Sequence, residues 1–187
     1  MRIITGKARG VRLQTLEGLN TRPTSERSKE AVFSALQFDI ADGVILDLFA
    51  GSGQMGLEAA SRGARCVYLV DKSRDAFKII NKNIESTRLG NICVAKNEDS
   101  ILFLKSHRGE KFDMVFLDPP YATNLINEAL TVLLERDLLS PDAILVCESD
   151  RFDILDVEIS EKCDIIKTMK HGVAHISVIK MKGAREV

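Results

Sequence analysis

From Val44 to Cys147 short apolar runs alternate with amphipathic segments, and this alternation constrains the fold more than any other feature of the chain. Residues 44–49, Cys66–Val70, residues 92–95, Phe112–Leu117 and residues 143–147 read as strands. The intervening residues 54–62, 73–88, 101–104 and 124–136 read as helices. Phe77, Ile80 and Ile84 recur at helical spacing in the second of these, and Leu125, Ala129, Val132 and Leu133 in the last. Residues 164–169 and Ala174–Met181 alternate like an antiparallel pair joined near His171-Gly172. Repeated βα units predict an α/β fold: a mostly parallel seven-stranded sheet with helices on both faces, closed by that pair.

Residues 1–38 follow a different pattern and are expected to form an extension to an α/β domain of residues 39–187. Two β-like pieces, residues 2–5 and 11–14, flank Gly6-Lys7-Ala8-Arg9-Gly10 and suggest a hairpin. Pro23 precedes a candidate cap at Thr24 or Ser25, and a helix with Ala31, Val32, Ala35 and Leu36 on its apolar face is expected to run to about residue 38. The charge is uneven. Residues 1–36 hold seven Lys and Arg against three Glu, a balance of +4, so the other residues must carry −5 to reach the net −1. A basic arm on an acidic domain is what a phosphate-backbone contact requires, and a solvated surface arm has the same composition.

Composition, at 45% hydrophobic and 28% charged residues, is that of a globular domain. No apolar run reaches the roughly 18 residues of a membrane span, and residues 1–7 lack the apolar stretch of a secretory signal, so a cytoplasmic protein is expected. Cys66, Cys93, Cys147 and Cys163 form no CxxC pair and read as buried free thiols. His171 and His175 have HxxxH spacing, but Gly172 and the β-branched residues that follow oppose a helix, so no metal is expected. No exposed apolar seam points to an obligate dimer, which leaves a monomer as the expectation.

Two motifs carry chemistry. The first is Asp47-Leu48-Phe49-Ala50-Gly51-Ser52-Gly53-Gln54-Met55-Gly56, a strand running through glycines into a helix. Glycine permits a tight turn and close approach of a ligand to the main chain, and the helix start offers unpaired N–H groups. Asp71 ends the next strand, where a carboxylate can accept both ribose hydroxyls of an adenosine or simply cap the following helix. Asp99, after the third strand, has the same two readings, with the adenine amino group as its ligand. These features suit a dinucleotide or a methyl donor equally.

The second motif, Asp118-Pro119-Pro120-Tyr121 at the end of the fourth strand, separates them. Two prolines stiffen the turn and remove two donors. An Asp side chain and a proline carbonyl are pure acceptors, suited to the two hydrogens of an –NH₂ group, and Tyr121 offers an aromatic face for a planar base. Hydride chemistry leaves this turn without a role, and no catalytic His or Lys is evident for it.

Asp47 through Gly53, Asp71 and Asp118 through Tyr121 resemble the donor-binding and amino-methylating motifs of class I methyltransferases, whose fold is Rossmann-like. Residues 1–10 and 21–33, Ser61-Arg62-Gly63-Ala64 and Lys170-His171-Gly172 resemble one family within that class, the bacterial 16S ribosomal RNA guanine-N2 methyltransferases. Gln54 and His171 depart from its usual residues, a small side chain and an aromatic. The resemblance implies S-adenosylmethionine as cofactor, held by Asp47, Phe49, Ala50, Gly51, Ser52, Gly53, Asp71, Lys72 and Asp99. It implies catalysis at Asp118, Pro119, Pro120 and Tyr121, and RNA contacts from Arg9, Arg22, Thr24, Arg27 and Lys29. The implied partner is 16S ribosomal RNA, the small ribosomal subunit or an assembly intermediate of it. The turn alone equally fits an adenine-N6 methyltransferase, and a non-catalytic RNA-binding protein with a vestigial donor site is a third reading.

Overall fold

The computed structural model describes residues 1–16, 26–121 and 123–182. Helix α1 (Glu26–Ala35) precedes the alternating β1 (Val44–Asp47), α2 (Gln54–Ser61), β2 (Cys66–Val70), α3 (Arg74–Thr87), β3 (Cys93–Lys96), α4 (Ser100–Ser106), β4 (Phe112–Leu117), α5 (Leu125–Glu135) and β5 (Leu139–Ser149). A short α6 (Val157–Ser160) leads into β6 (Cys163–His171) and β7 (Ala174–Met181). The sheet has seven strands in the order β3-β2-β1-β4-β5-β7-β6. Strands β1 to β5 run parallel to one another, and β7 runs antiparallel to both β5 and β6.

Because both faces are covered, successive strand residues feed opposite cores. Ile45, Met114, Phe116, Ile144 and Val146 point towards α1, α2 and α3, meeting Phe33, Leu57 and Ile80. Leu46, Val115, Leu117, Leu145 and Cys147 point the other way, towards Phe103, Leu130 and Leu133 of α4 and α5. The order reverses between β1 and β4, since β1 continues through β2 on one side while β4 lies on the other. Ligands of open α/β sheets bind in the crevice at the carboxyl ends of strands flanking such a reversal. Both motifs lie there.

The described part of the extension is stitched to α2. Arg2 and Arg12 form an isolated antiparallel bridge in place of a longer hairpin ladder. Glu58 of α2 accepts the Ile4 and Thr5 amides at 2.8 and 3.0 Å, and Ser61 Oγ accepts the Ala8 amide at 2.9 Å. Gly6 packs so closely that a Cβ there would lie 1.8 Å from the Ser61 carbonyl oxygen, so only glycine fits. Ile3, Ala8, Leu13, Val32 and Phe33 join the core above the sheet, and Phe33 meets Phe116 of β4 at 5.6 Å between ring centres. Helix α1 buries Val32 and Phe33, and Leu36 just past its end is buried as well, whereas Ala35, expected inward, is exposed. Its inward stripe is rotated so that Ser28 and Lys29 are also buried.

Candidate active site

The turn after β1 is built from backbone geometry. Gly51 and Gly53 have φ of +55° and +78°, a region that side chains with a Cβ rarely adopt. The Ala50 amide donates to the Val70 carbonyl at 3.0 Å, tying the turn to the end of β2. Asp71 completes this tie: its Oδ2 accepts the Gly51 amide and its Oδ1 the Ser73 amide, each at 2.8 Å. Asp47 lies beneath the turn, buried, with Oδ2 accepting the Gly56 amide at 2.9 Å. Burial pushes its carboxyl up to about 7, against the Gly56 hydrogen bond, and nearby Asp71 adds to the rise. Asp99 caps α4, its Oδ1 accepting the Ile101 and Leu102 amides at 3.0 and 3.1 Å. Phe49 and Ser52 are half-buried in the same turn, and Lys72 is exposed at the end of β2.

Asn83 of α3 is a residue that sequence reasoning missed. Its side-chain amide donates to the Ser52 carbonyl at 2.8 Å and exchanges hydrogen bonds of 2.8 and 3.0 Å with the Gln14 backbone. It thereby joins the glycine turn to the extension. The signal was available: Asn83 is a polar residue on the stripe Ile80, Asn83, Ile84, Thr87, where an apolar side chain is expected.

On the neighbouring strand, β4 ends in Asp118-Pro119-Pro120-Tyr121. Asp118 and Pro120 are exposed and Pro119 is buried. The Pro120 carbonyl accepts the Thr123 hydroxyl at 2.8 Å, bracing the turn. Tyr121 donates its hydroxyl to Glu148 Oε1 at 3.2 Å. Burial first, then the Glu148 and Asp118 carboxylates, push its phenol up to about 12, so it stays a neutral donor at working pH. Two hollows adjoin the turn. A cavity of about 250 Å³ lies between Tyr121, Asn127, Glu148 and Asp156. An apolar cleft against α1 and α2 is lined by Val32, Met55, Phe116 and Ile176, with Asp118 and Glu148 at its edge. Glu148, shared by both hollows, was not singled out from sequence, although it lies one residue before the end of β5 much as Asp71 and Asp118 follow β2 and β4.

Of the residues expected to meet RNA, Arg9 is exposed, together with Arg2, Lys7 and Arg12 of the same extension. Arg22 and Thr24 lie outside the described residues, as does the side chain of Arg27. Lys29 is a correction. Its ammonium has no exposure, lies 3.2 Å from Glu58 Oε2, itself wholly buried, and donates to the Arg2 carbonyl at 2.7 Å. Burial pulls its pKa below the ordinary lysine value despite Glu58. A cation enclosed in this way fastens α1 to α2 and has no path to a phosphate.

Residues 1–180 match the family described as conserved hypothetical protein 95. Ribosomal RNA small subunit methyltransferase D of Haemophilus influenzae is 36% identical over 153 residues, covering 81% of this chain and 79% of that protein. The Escherichia coli protein of the same name is 35% identical over 150 residues, covering 80% and 75%. The chain belongs to this methyltransferase family. The solved structure of Escherichia coli yhhF superposes with a TM-score of 0.84 at 30% identity, covering 97% of both chains. The fold is therefore that of a class I methyltransferase, an architecture that binds S-adenosylmethionine. The residues present fit that cofactor, because a Cβ added at Gly51 would meet no atom within 4 Å and the main chain of the turn is open to close approach. Among the described residues no three His, Cys, Asp or Glu side chains group to hold a metal, and no helix is long and apolar enough to cross a membrane.

Proposed function

We propose that this protein methylates the exocyclic N2 amine of a guanine in 16S ribosomal RNA, acting as a cytoplasmic monomer on the RNA or on an assembling small subunit. The observation that carries the reading is the placement of Asp118-Pro119-Pro120-Tyr121 beside the Gly51–Gly53 turn, on adjacent strands at the sheet's reversal. The names of the relatives support ribosomal RNA as substrate.

S-adenosylmethionine supplies an electrophilic sulfonium methyl whose departure leaves a neutral thioether. The protein's part is placement. The turn of residues 49–53, with Asp47 and Asp71 behind it, would hold the donor, and Asp71, Lys72 and Asp99 would grip its adenosine end. Asp118 and the Pro119 carbonyl accept the two amine hydrogens and turn the nitrogen lone pair towards the methyl. Such positioning is worth about 7–11 kcal/mol, and acceptors aimed at a nitrogen gaining positive charge add to it. Asp118 is the nearest base for the released proton. A paired guanine cannot present its amine to this turn, so the target is looped or flipped, and the Tyr121 face recovers part of the lost stacking. Arg9 with Arg22, Thr24 and Arg27 supplies the phosphate contacts.

Incubation with labelled donor and 16S RNA or small-subunit particles lacking the modification, followed by nucleoside analysis, tests this. N2-methylguanosine is expected. N6-methyladenosine would overturn the choice of base, and donor binding without transfer would overturn the enzyme reading.

A further inference from the structure

The turn after β4 identifies an amino group on a planar ring without distinguishing guanine from adenine. We infer that Glu148 makes that distinction, by accepting the hydrogen that guanine carries on ring nitrogen N1 and adenine does not. The inference rests on the methyltransferase reading above.

Register places Glu148 for this role. Strands β4 and β5 pair Phe116 with Val146 and Leu117 with Cys147, and Asp118, just past the end of β4, and Glu148 are the residues that follow this last pair. Side chains alternate along a strand. Leu117 and Cys147 face α4 and α5, while Phe116 and Val146 face α1 and α2. Asp118 and Glu148 therefore project towards α1 and α2, from strands about 4.8 Å apart. Both border the cleft whose apolar walls include Val32, Met55 and Ile176.

The hydrogen-bond pattern of guanine matches two neighbouring carboxylates. Its N2 amine and N1–H are adjacent donors on one edge of the ring. An amine held at Asp118 brings N1–H towards the adjoining strand end, where Glu148 stands. The Tyr121 hydroxyl, 3.2 Å from Glu148 Oε1, fixes that carboxylate, and a carboxylate has about four acceptor sites, enough to take a further hydrogen. Adenine offering its own amine to Asp118 would turn a bare N1 lone pair towards Glu148. Two acceptors would then face each other at half-buried Glu148 with no hydrogen between them, the arrangement by which polar sites reject near-isosteres most strongly.

2-Aminopurine keeps the exocyclic 2-amine and has neither the N1 hydrogen nor the 6-oxygen of guanine, so the change in preference on altering Glu148 isolates the N1 requirement. RNA carrying guanine or 2-aminopurine at the target position is compared by kcat/KM. The wild-type protein is expected to prefer guanine by about 100-fold or more. Glu148→Gln, checked for folding by thermal unfolding and for donor binding by calorimetry, is expected to narrow the preference to about tenfold or less, because its carboxamide can donate to N1. Equal wild-type kcat/KM on the two RNAs, or an unchanged ratio in Glu148→Gln, would overturn the role of Glu148 while leaving guanine methylation in place. If the variant does not fold, equal wild-type kcat/KM on the two RNAs still overturns the role of Glu148. Failure to methylate guanine RNA under any condition would overturn both readings.

Discussion

Asp71 Oδ2 accepts the backbone N–H of Gly51 at 2.8 Å, so one carboxylate spans the end of β2 and the turn after β1. The same side chain holds the Ser73 amide through Oδ1. A residue proposed to grip the donor's ribose is thus also a brace of the glycine turn. Asp71→Asn keeps the size of the side chain but replaces one acceptor with a donor, so one of the two amides loses its partner. Donor affinity is expected to fall by about 10- to 100-fold, corresponding to the ~1.5–3 kcal/mol of a hydrogen bond to a charged group. Calorimetric titration of the donor checks this, and unchanged affinity would leave Asp71 only its structural tie.

Asp118 should behave in the opposite way. It follows β4, one strand over from the glycine turn, whose own ties run to Val70, Asp71 and Asn83. Asp118→Ala is expected to reduce kcat by at least about 100-fold, the scale of losing a general base or a positioned acceptor, with donor affinity within about threefold of wild type. Single-turnover rates and donor titration on the same preparation separate the two effects. Loss of donor binding in step with rate would place Asp118 in the donor site.

Strands β2, β4 and β7 were legible to the residue because each is an apolar or alternating run with clear ends. Strand β5 begins at Leu139, four residues before the expected Ala143, because Pro141 and Asp142 read as loop while the Phe112 amide donates to the Leu138 carbonyl at 2.8 Å. Four-residue α6 has too little sequence to show a period. The glycine turn and Asp118 through Tyr121 were legible because their chemistry depends on residue type at fixed spacing. Lys29, Asn83 and Glu148 were not, because their roles are set by partners 27 or more residues away. Lys29 and Asn83 share one local sign, a polar side chain within an apolar helical stripe, and that sign marks burial without naming the partner.

The enclosed Lys29–Glu58 pair predicts a stability effect where a surface reading predicts an RNA effect. Lys29→Met leaves Glu58 buried with the Ile4 and Thr5 amides and Arg62, whose Nε donates at 2.9 Å, but without its ammonium. Removing one partner of a buried pair costs about 3–5 kcal/mol, and a drop of roughly 6–20 °C in Tm is expected for a domain of this size. The salt dependence of RNA binding should be unchanged for whatever fraction remains folded. Arg9→Ala, on the exposed rim of the extension, should leave Tm within about 2 °C and reduce the logarithmic salt slope by about 0.7–1. Thermal melts and binding at several salt concentrations check both variants, and an altered salt slope in Lys29→Met would return that lysine to the RNA contacts.

Asp47 supplies a pH dependence whose sign follows from its position under the glycine turn. Its carboxyl titrates near 3.8 when unfolded and is raised to about 7 in the fold, chiefly by burial. Between those values the folded protein holds a proton that the unfolded chain has released. Stability from this group is therefore fully present below about pH 4, declines as pH rises through the window, and is lost above about pH 7. A pKa difference of one between folded and unfolded chain corresponds to about 1.4 kcal/mol, so the whole contribution is about 4 kcal/mol at most. Asp47→Asn removes the titration while its carbonyl oxygen still accepts the Gly56 amide. Groups common to both proteins cancel in the comparison, so the variant should gain about 2–3 kcal/mol on wild type between pH 5 and pH 8. Urea unfolding at the two pH values measures this. A difference between the proteins that does not change with pH would mean that Asp47 titrates in the fold as it does in the unfolded chain, with its charge accommodated beneath the turn.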